Sequence, residues 1–168
     1  MNDAANDDQR REKVRAMVRD IRNCMFTTLD AQGAMRARPM AAISGPEEDD
    51  TIWFFTRADS PKADEIGADG HVLLSFSGPS NAWLSLSGRA EVMRDVEKQK
   101  ALWSEMARLW FPKGPESEEL TLIAFHPDRA EYWDSPSGAV LFALGYVKAM
   151  LTGRVREVGG NEKVAFTG

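Results

Sequence analysis

The sequence predicts a mainly β fold (α+β), an antiparallel barrel with helices at its periphery. Strand-like runs rich in β-branched and aromatic residues recur between Cys24 and Trp133, and most are linked by short turns. Helical periodicity lies near the two ends of the chain, with one short helix inserted among the strands, so the alternation of a parallel α/β sheet is missing. At 168 residues the chain is long enough for one domain with a real core.

Residues 8 to 22 place Val14, Met17, Val18 and Ile21 at helical spacing, which predicts a helix with one narrow apolar stripe behind a flexible tail over residues 1–8. Cys24 to Leu29 and Met35 to Ile43 read as strands, and Asp30-Ala-Gln-Gly33 supplies the turn of a hairpin. A third strand, Thr51 to Thr56, follows the loop Gly45-Pro-Glu-Glu-Asp-Asp50. Ser60 followed by Pro61 reads as an N-cap and a first helical position. His71 to Ser77 and Ala82 to Met93 are the next strands. In the longer one Leu84, Leu86, Ala90 and Val92 share a face, with Trp83, Ser85, Ser87, Arg89 and Glu91 on the other. Val96, Gln99, Leu102, Trp103, Met106, Leu109 and Trp110 trace a broad helical face from Asp95 to Trp110, ended by Phe111-Pro-Lys-Gly-Pro115. Two further strands, Leu120 to Phe125 and Arg129 to Trp133, flank His126-Pro-Asp, and Ala139 to Leu151 is apolar nearly all round, as a buried helix would be.

The composition is 43% hydrophobic and 28% charged with a net charge of −5, an ordinary globular balance whose mild acidity argues against a dedicated nucleic-acid binder. No apolar run reaches the length of a bilayer span and the N-terminus is acidic, so the expectation is a cytoplasmic protein without a membrane partner. One cysteine, Cys24, and two distant histidines, His71 and His126, do not make a structural zinc site, and no metal is expected. The acidic run Glu47-Glu-Asp-Asp50 reads as a solvated loop, and the basic residues between Arg10 and Arg22 as a solvated helix face balanced by Glu12 and Asp20.

Lys62 is the residue that asks for a chemical reason. At the second position of its helix it faces the positive end of the helix dipole, at a cost of roughly 0.3–1 kcal/mol. Arg38 on the second strand, Thr56 closing the third, Ser60 at the cap and Lys62 converge if those strands pair through the intervening loop. Two cations, two hydroxyls and the amide groups of a helix start are what a phosphate dianion requires. Otherwise Lys62 points into solvent, its effect offset by Asp64 and Glu65.

The series Arg38-Pro-Met, Phe-Phe-Thr56-Arg-Ala-Asp-Ser60-Pro-Lys62, Trp-Leu-Ser-Leu-Ser-Gly88 and Ala130-Glu-Tyr-Trp-Asp-Ser-Pro136 resembles the pyridoxamine 5′-phosphate oxidase superfamily. Within it, the chain is most similar to the general stress protein 26 branch, from about residue 12 to the Asn161-Glu-Lys-Val-Ala-Phe ending. The resemblance implies a split β-barrel homodimer with FMN as cofactor at the subunit interface. It assigns the FMN phosphate to Arg38, Thr56, Ser60 and Lys62, the flavin ring to the backbone of Pro39, Met40 and Ala41, a contact from the other subunit to Trp83, and the second half of the site to Trp133.

Two departures narrow that implication. Authentic pyridoxamine phosphate oxidases carry an Arg-x-His type motif shortly after the position of Trp133, where this chain reads Asp134-Ser-Pro-Ser-Gly, and a lysine where this chain has Ile43. The expected function is therefore an FMN-dependent oxidoreductase acting on a small substrate, not a pyridoxamine phosphate oxidase. The alternative is a stress-response module that binds a flavin, deazaflavin or haem without turnover. A hydrolase has no nucleophile motif behind it.

Overall fold

A computed structural model describes residues 2–43, 49–134 and 160–166. A helix, α1 (Asn2–Ile21), leads into a hairpin of β1 (Asn23–Leu29) and β2 (Met35–Ala41). Then come β3 (Ile52–Arg57), α2 (Pro61–Ala68), β4 (His71–Ser77), β5 (Trp83–Met93), α3 (Val96–Leu102), β6 (Leu120–Asp134) and β7 (Gly160–Ala165). All strand pairs are antiparallel and run in the order β2-β1-β4-β5-β6-β3, with β7 added to the far half of β6. The Ile43 amide donates to the Trp53 carbonyl at 2.9 Å, so the two ends of the sheet meet and the sheet curls on itself. The result is the expected mainly β split-barrel architecture with peripheral helices.

The alternation of each strand explains the curl. Cys24, Phe26 and Thr28 of β1, Val72, Leu74 and Phe76 of β4, and Leu84, Leu86 and Ala90 of β5 are all buried on the inner face. Phe26 meets Phe54 from β3, which is not its strand neighbour, edge to face at 5.3 Å across the interior. Each fully buried phenylalanine contributes about 1.5–3 kcal/mol relative to exposure. Val14, Met17 and Val18 of α1 join the same core, as their spacing predicts. Asp30 secures the β1–β2 turn, its carboxylate accepting from the amides of Gln32 and Ala34, while Gly33 takes φ 77°.

Several expectations need correction. Residues 2–8, read as a tail, continue the backbone of α1. β2 and β3 do not pair; they lie at opposite ends of the sheet, joined by the Ile43–Trp53 bond. Leu120 to Trp133 lies in one strand, because the β5–β6 register shifts between Ser87 and Gly88; Asp128 is left without a β5 partner there, and the ladder continues through Pro127, which pairs with Gly88. The predicted helix from Asp95 to Trp110 stops at Trp103, whose extended backbone lets the indole pack against Phe55 at 5.7 Å; a short 3₁₀ turn, Glu105–Leu109, follows. Met106, Leu109 and Trp110 are consequently exposed rather than in the core. The sequence does not predict β7 because, among its residues with described burial, only Val164 of a mostly polar run is buried. The helix expected over Ala139 to Leu151 falls outside the described residues. Among the described residues no helix is long and apolar enough to cross a membrane.

Candidate functional site

The site is organised by α2, which begins where the sequence places it. Ser60 has extended backbone at the N-cap and Pro61 opens the helix, so the chain turns sharply after β3. The Ser60 hydroxyl does not cap the helix; it lies 3.1 Å from the Thr56 hydroxyl, and both side chains are buried. Ile66 anchors the other side of α2 in the core. The helix start is thereby pinned, with Lys62 in its first turn.

Arg38 reaches this turn from β2, although β2 and β3 are not neighbours. Its guanidinium donates to the Thr28 hydroxyl at 2.6 Å and to Glu65 Oε2 at 2.7 Å. Thr28 in turn donates to the same Glu65 oxygen at 2.5 Å. Burial pushes the Glu65 carboxyl up, but the hydrogen bonds from Thr28 and Arg38 and the Arg38 and Arg36 charges outweigh it and hold the group below its usual range. Lys62 is partly buried rather than directed into solvent. Desolvation lowers its ammonium pKa, the Arg38 charge lowers it further, and Glu65 only partly restores it. The structure thus sets Arg38 and Lys62 against one turn of α2, with the Thr56–Ser60 hydroxyl pair at its base. Sequence reasoning missed Thr28 and Glu65. The available signals were a polar residue on the inward-facing side of β1 and a carboxylate three positions after Lys62 on the same helical face.

Of the remaining predicted residues, Pro39, Met40 and Ala41 follow Arg38 directly on β2, whereas Trp83 and Trp133 lie apart from this cluster within one chain. Pro39, Met40 and Ala41 lie on β2, which occupies one end of the strand order and pairs only with β1 among the described residues, a placement suited to a proline without an amide. Trp83 and Trp133 are direct cross-strand partners on β5 and β6, and they remain 50% and 37% exposed. They stand on the outer face, opposite to Leu84, whereas Arg38 pairs with the inward Phe26. Two strands, β1 and β4, separate β2 from β5. A groove of ≈ 710 Å³ runs along this outer face past Thr27, Leu73, His71, Ser87 and Arg129, and none of the four anion-site residues lines it.

The other polar candidates are occupied. His71 Nδ1 lies 2.6 Å from Asp69 Oδ1 and its Nε2 lies 3.0 Å from the Arg89 guanidinium, so both ring nitrogens are engaged. His126 Nδ1 faces the Thr51 hydroxyl at 3.1 Å. Cys24 is buried, and desolvation pushes its thiol up to about 12. Asp50, from the acidic loop, forms an ion pair with Arg15 at 2.6 Å.

Comparison with known proteins agrees with this architecture. A solved chain from Jannaschia sp. CCS1 assigned to general stress protein 26 superposes with a TM-score of 0.71 at 24% identity, covering 94% of this chain and 99% of that one. The general stress FMN/FAD binding protein from Xanthomonas citri superposes with a TM-score of 0.66 at 28% identity, covering 77% of this chain and 92% of its own. Protein bli-3 of Neurospora crassa is 25% identical over 140 residues, 77% of this chain and 67% of its own length. The sequence model of the family described as pyridoxamine 5′-phosphate oxidase like matches residues 9–157. The strand order, the α2 turn and the match of the family model together place this chain in the pyridoxamine 5′-phosphate oxidase-like family.

Proposed function

We propose that this protein binds FMN, with the phosphate held by Arg38, Lys62 and the start of α2, and that it acts as a flavin-dependent oxidoreductase on a small substrate. The observation that carries the reading is Lys62: a partly buried ammonium beside the Arg38 cation, at the positive end of a helix, with no ion pair among the described residues. A phosphate dianion turns each of those unfavourable terms into an attraction. The Thr56 and Ser60 hydroxyls offer a donor once their mutual bond reorients. A site for one phosphate dianion supports FMN as the particular flavin, and the FMN/FAD-binding relative supports a flavin.

Bound flavin would supply hydride and electron transfer, so the protein's part is binding, orientation and electrostatics. The edge of β2 at Pro39, Met40 and Ala41, which pairs only with β1 among the described residues, would face the ring. Trp83 and Trp133 lie too far around the sheet to serve the same phosphate site, and their exposure fits a second copy of the chain bringing them to the flavin. Met25 and Leu73 extend the exposed apolar surface on that outer face. Sedimentation of a monomer that still binds FMN tightly would count against this assembly.

The second reading, a flavin-binding module without turnover, is favoured by the engagement of both histidines and the burial of Cys24, which leave no poised acid, base or nucleophile among them. An absorption spectrum with FMN titration tests the cofactor, and anaerobic mixing with NADH or NADPH separates the readings. Bleaching of the flavin by a nicotinamide supports the enzyme; reduction by dithionite alone supports the module. A protein that ignores FMN refutes both.

A further inference from the structure

We infer that Glu65 is the built-in counter-anion of the phosphate site, the group that a phosphate displaces from Arg38 and the residue that tunes how strongly phosphorylated flavin is preferred over riboflavin. This rests on the FMN reading above and adds to it a specificity-determining residue that neither the sequence motifs nor the family assignment points to.

The geometry is specific. One oxygen, Glu65 Oε2, accepts from both the Thr28 hydroxyl and the Arg38 guanidinium, while Arg38 also donates to Thr28, which closes a three-membered ring of contacts. The Glu65 and Arg38 side chains are only 11% and 23% exposed, so water screens them poorly. Lys62, one helical turn earlier on α2, senses both charges but pairs with neither. The poorly screened charges at the turn are Arg38 and Lys62 against Glu65, while Asp64 of the same turn is exposed to solvent.

Two consequences follow. In the ligand-free chain Glu65 keeps the guanidinium in place, which lowers the cost of organising the site. Toward a phosphate dianion the same carboxylate is a repulsive neighbour and a competitor for the Arg38 donors. Riboflavin, which lacks the phosphate, meets neither effect. Glu65→Gln keeps an amide oxygen that can accept from Thr28 and Arg38 while deleting the charge, so it isolates the electrostatic part.

The test measures dissociation constants of FMN and riboflavin for wild type, Glu65→Gln and Arg38→Gln by flavin fluorescence at fixed salt. Removing one negative charge next to the bound phosphate should raise the FMN-over-riboflavin preference roughly three- to tenfold in Glu65→Gln. Riboflavin affinity should stay unchanged, and the gain should shrink at high salt. A purely structural role for Glu65 would move both ligands together. If Glu65→Gln leaves the preference unchanged or lowers it while Arg38→Gln abolishes it, the counter-anion role is overturned and the phosphate site stands. If wild type shows no preference for FMN over riboflavin, the phosphate reading falls and this inference with it. A crystal structure of the FMN complex gives a check that needs no variant. Arg38 turned from Glu65 to the phosphate supports displacement, and Arg38 still on Glu65 with the phosphate elsewhere refutes it.

Discussion

Replacing Lys62 by methionine should have opposite effects on the empty and the FMN-bound protein, and this reversal is the sharpest consequence of the site. In the ligand-free chain the ammonium is partly desolvated and lies near Arg38, and its pKa is lowered from the ordinary lysine value. A lysine whose folded pKa is depressed destabilises the fold while it is charged, and stability rises as pH increases from the folded value toward the unfolded one. Methionine keeps the length and apolar stem without the charge. The dipole contribution alone is worth roughly 0.3–1 kcal/mol. For a chain of this size about 1 kcal/mol corresponds to about 2–4 °C, so the melting temperature of the ligand-free variant should hold or rise within that range. With FMN the variant loses a charge-assisted contact worth about 1.5–3 kcal/mol, or roughly a ten- to 150-fold weaker dissociation constant. Thermal melts without ligand and fluorescence titrations with FMN and riboflavin measure the two arms. A variant that melts several degrees lower without ligand, yet binds FMN like wild type, would refute the argument at both ends.

Further outcomes follow from other parts of the structure. Gly88→Ala should cost upward of about 3 kcal/mol in urea unfolding, beyond the usual overpacking range, because the new Cβ would lie 2.1 Å from the His126 carbonyl oxygen and 2.9 Å from Pro127 Cα, both backbone atoms; a wild-type denaturation midpoint would contradict the close approach. Glu65→Gln should flatten the acid limb of stability. The Glu65 carboxyl is lowered from 4.5, so its contribution is complete above that value and is lost as pH falls through the lower folded value. Urea titrations across the acid range check this, and identical pH profiles would remove the carboxylate's stabilising role. Cys24, with its thiol pushed up to about 12, should react with a disulfide reagent at neutral pH only after unfolding. Prompt labelling of the folded protein would show the thiol to be accessible.

The strands were legible from the sequence because half-buried sheets write their burial in a period of two. Cys24-x-Phe26-x-Thr28, Val72-x-Leu74-x-Phe76 and Leu84-x-Leu86 alternate as the pleat requires, and the turn at Asp30–Gly33 carries its own chemistry. The start of α2 was legible for the same local reason, since Ser60-Pro61 fixes backbone geometry without help from the rest of the chain. β7 was not, because its place is set by pairing with β6 rather than by an apolar pattern. The early stop at Trp103 was hidden because packing on Phe55 overrides helical spacing.

The anion site divides in the same way. Local chain geometry puts a cap, a proline and Lys62 in one turn, since residues close in the chain have little freedom to be apart. It takes the folded sheet to bring Arg38 to that turn from a strand at the far end of the sheet order, to have Thr28 and Glu65 meet it there, and to stand the Trp83–Trp133 pair on the other face. Those contacts depend on how the sheet curls until Ile43 meets Trp53, a long-range closure that no local pattern encodes.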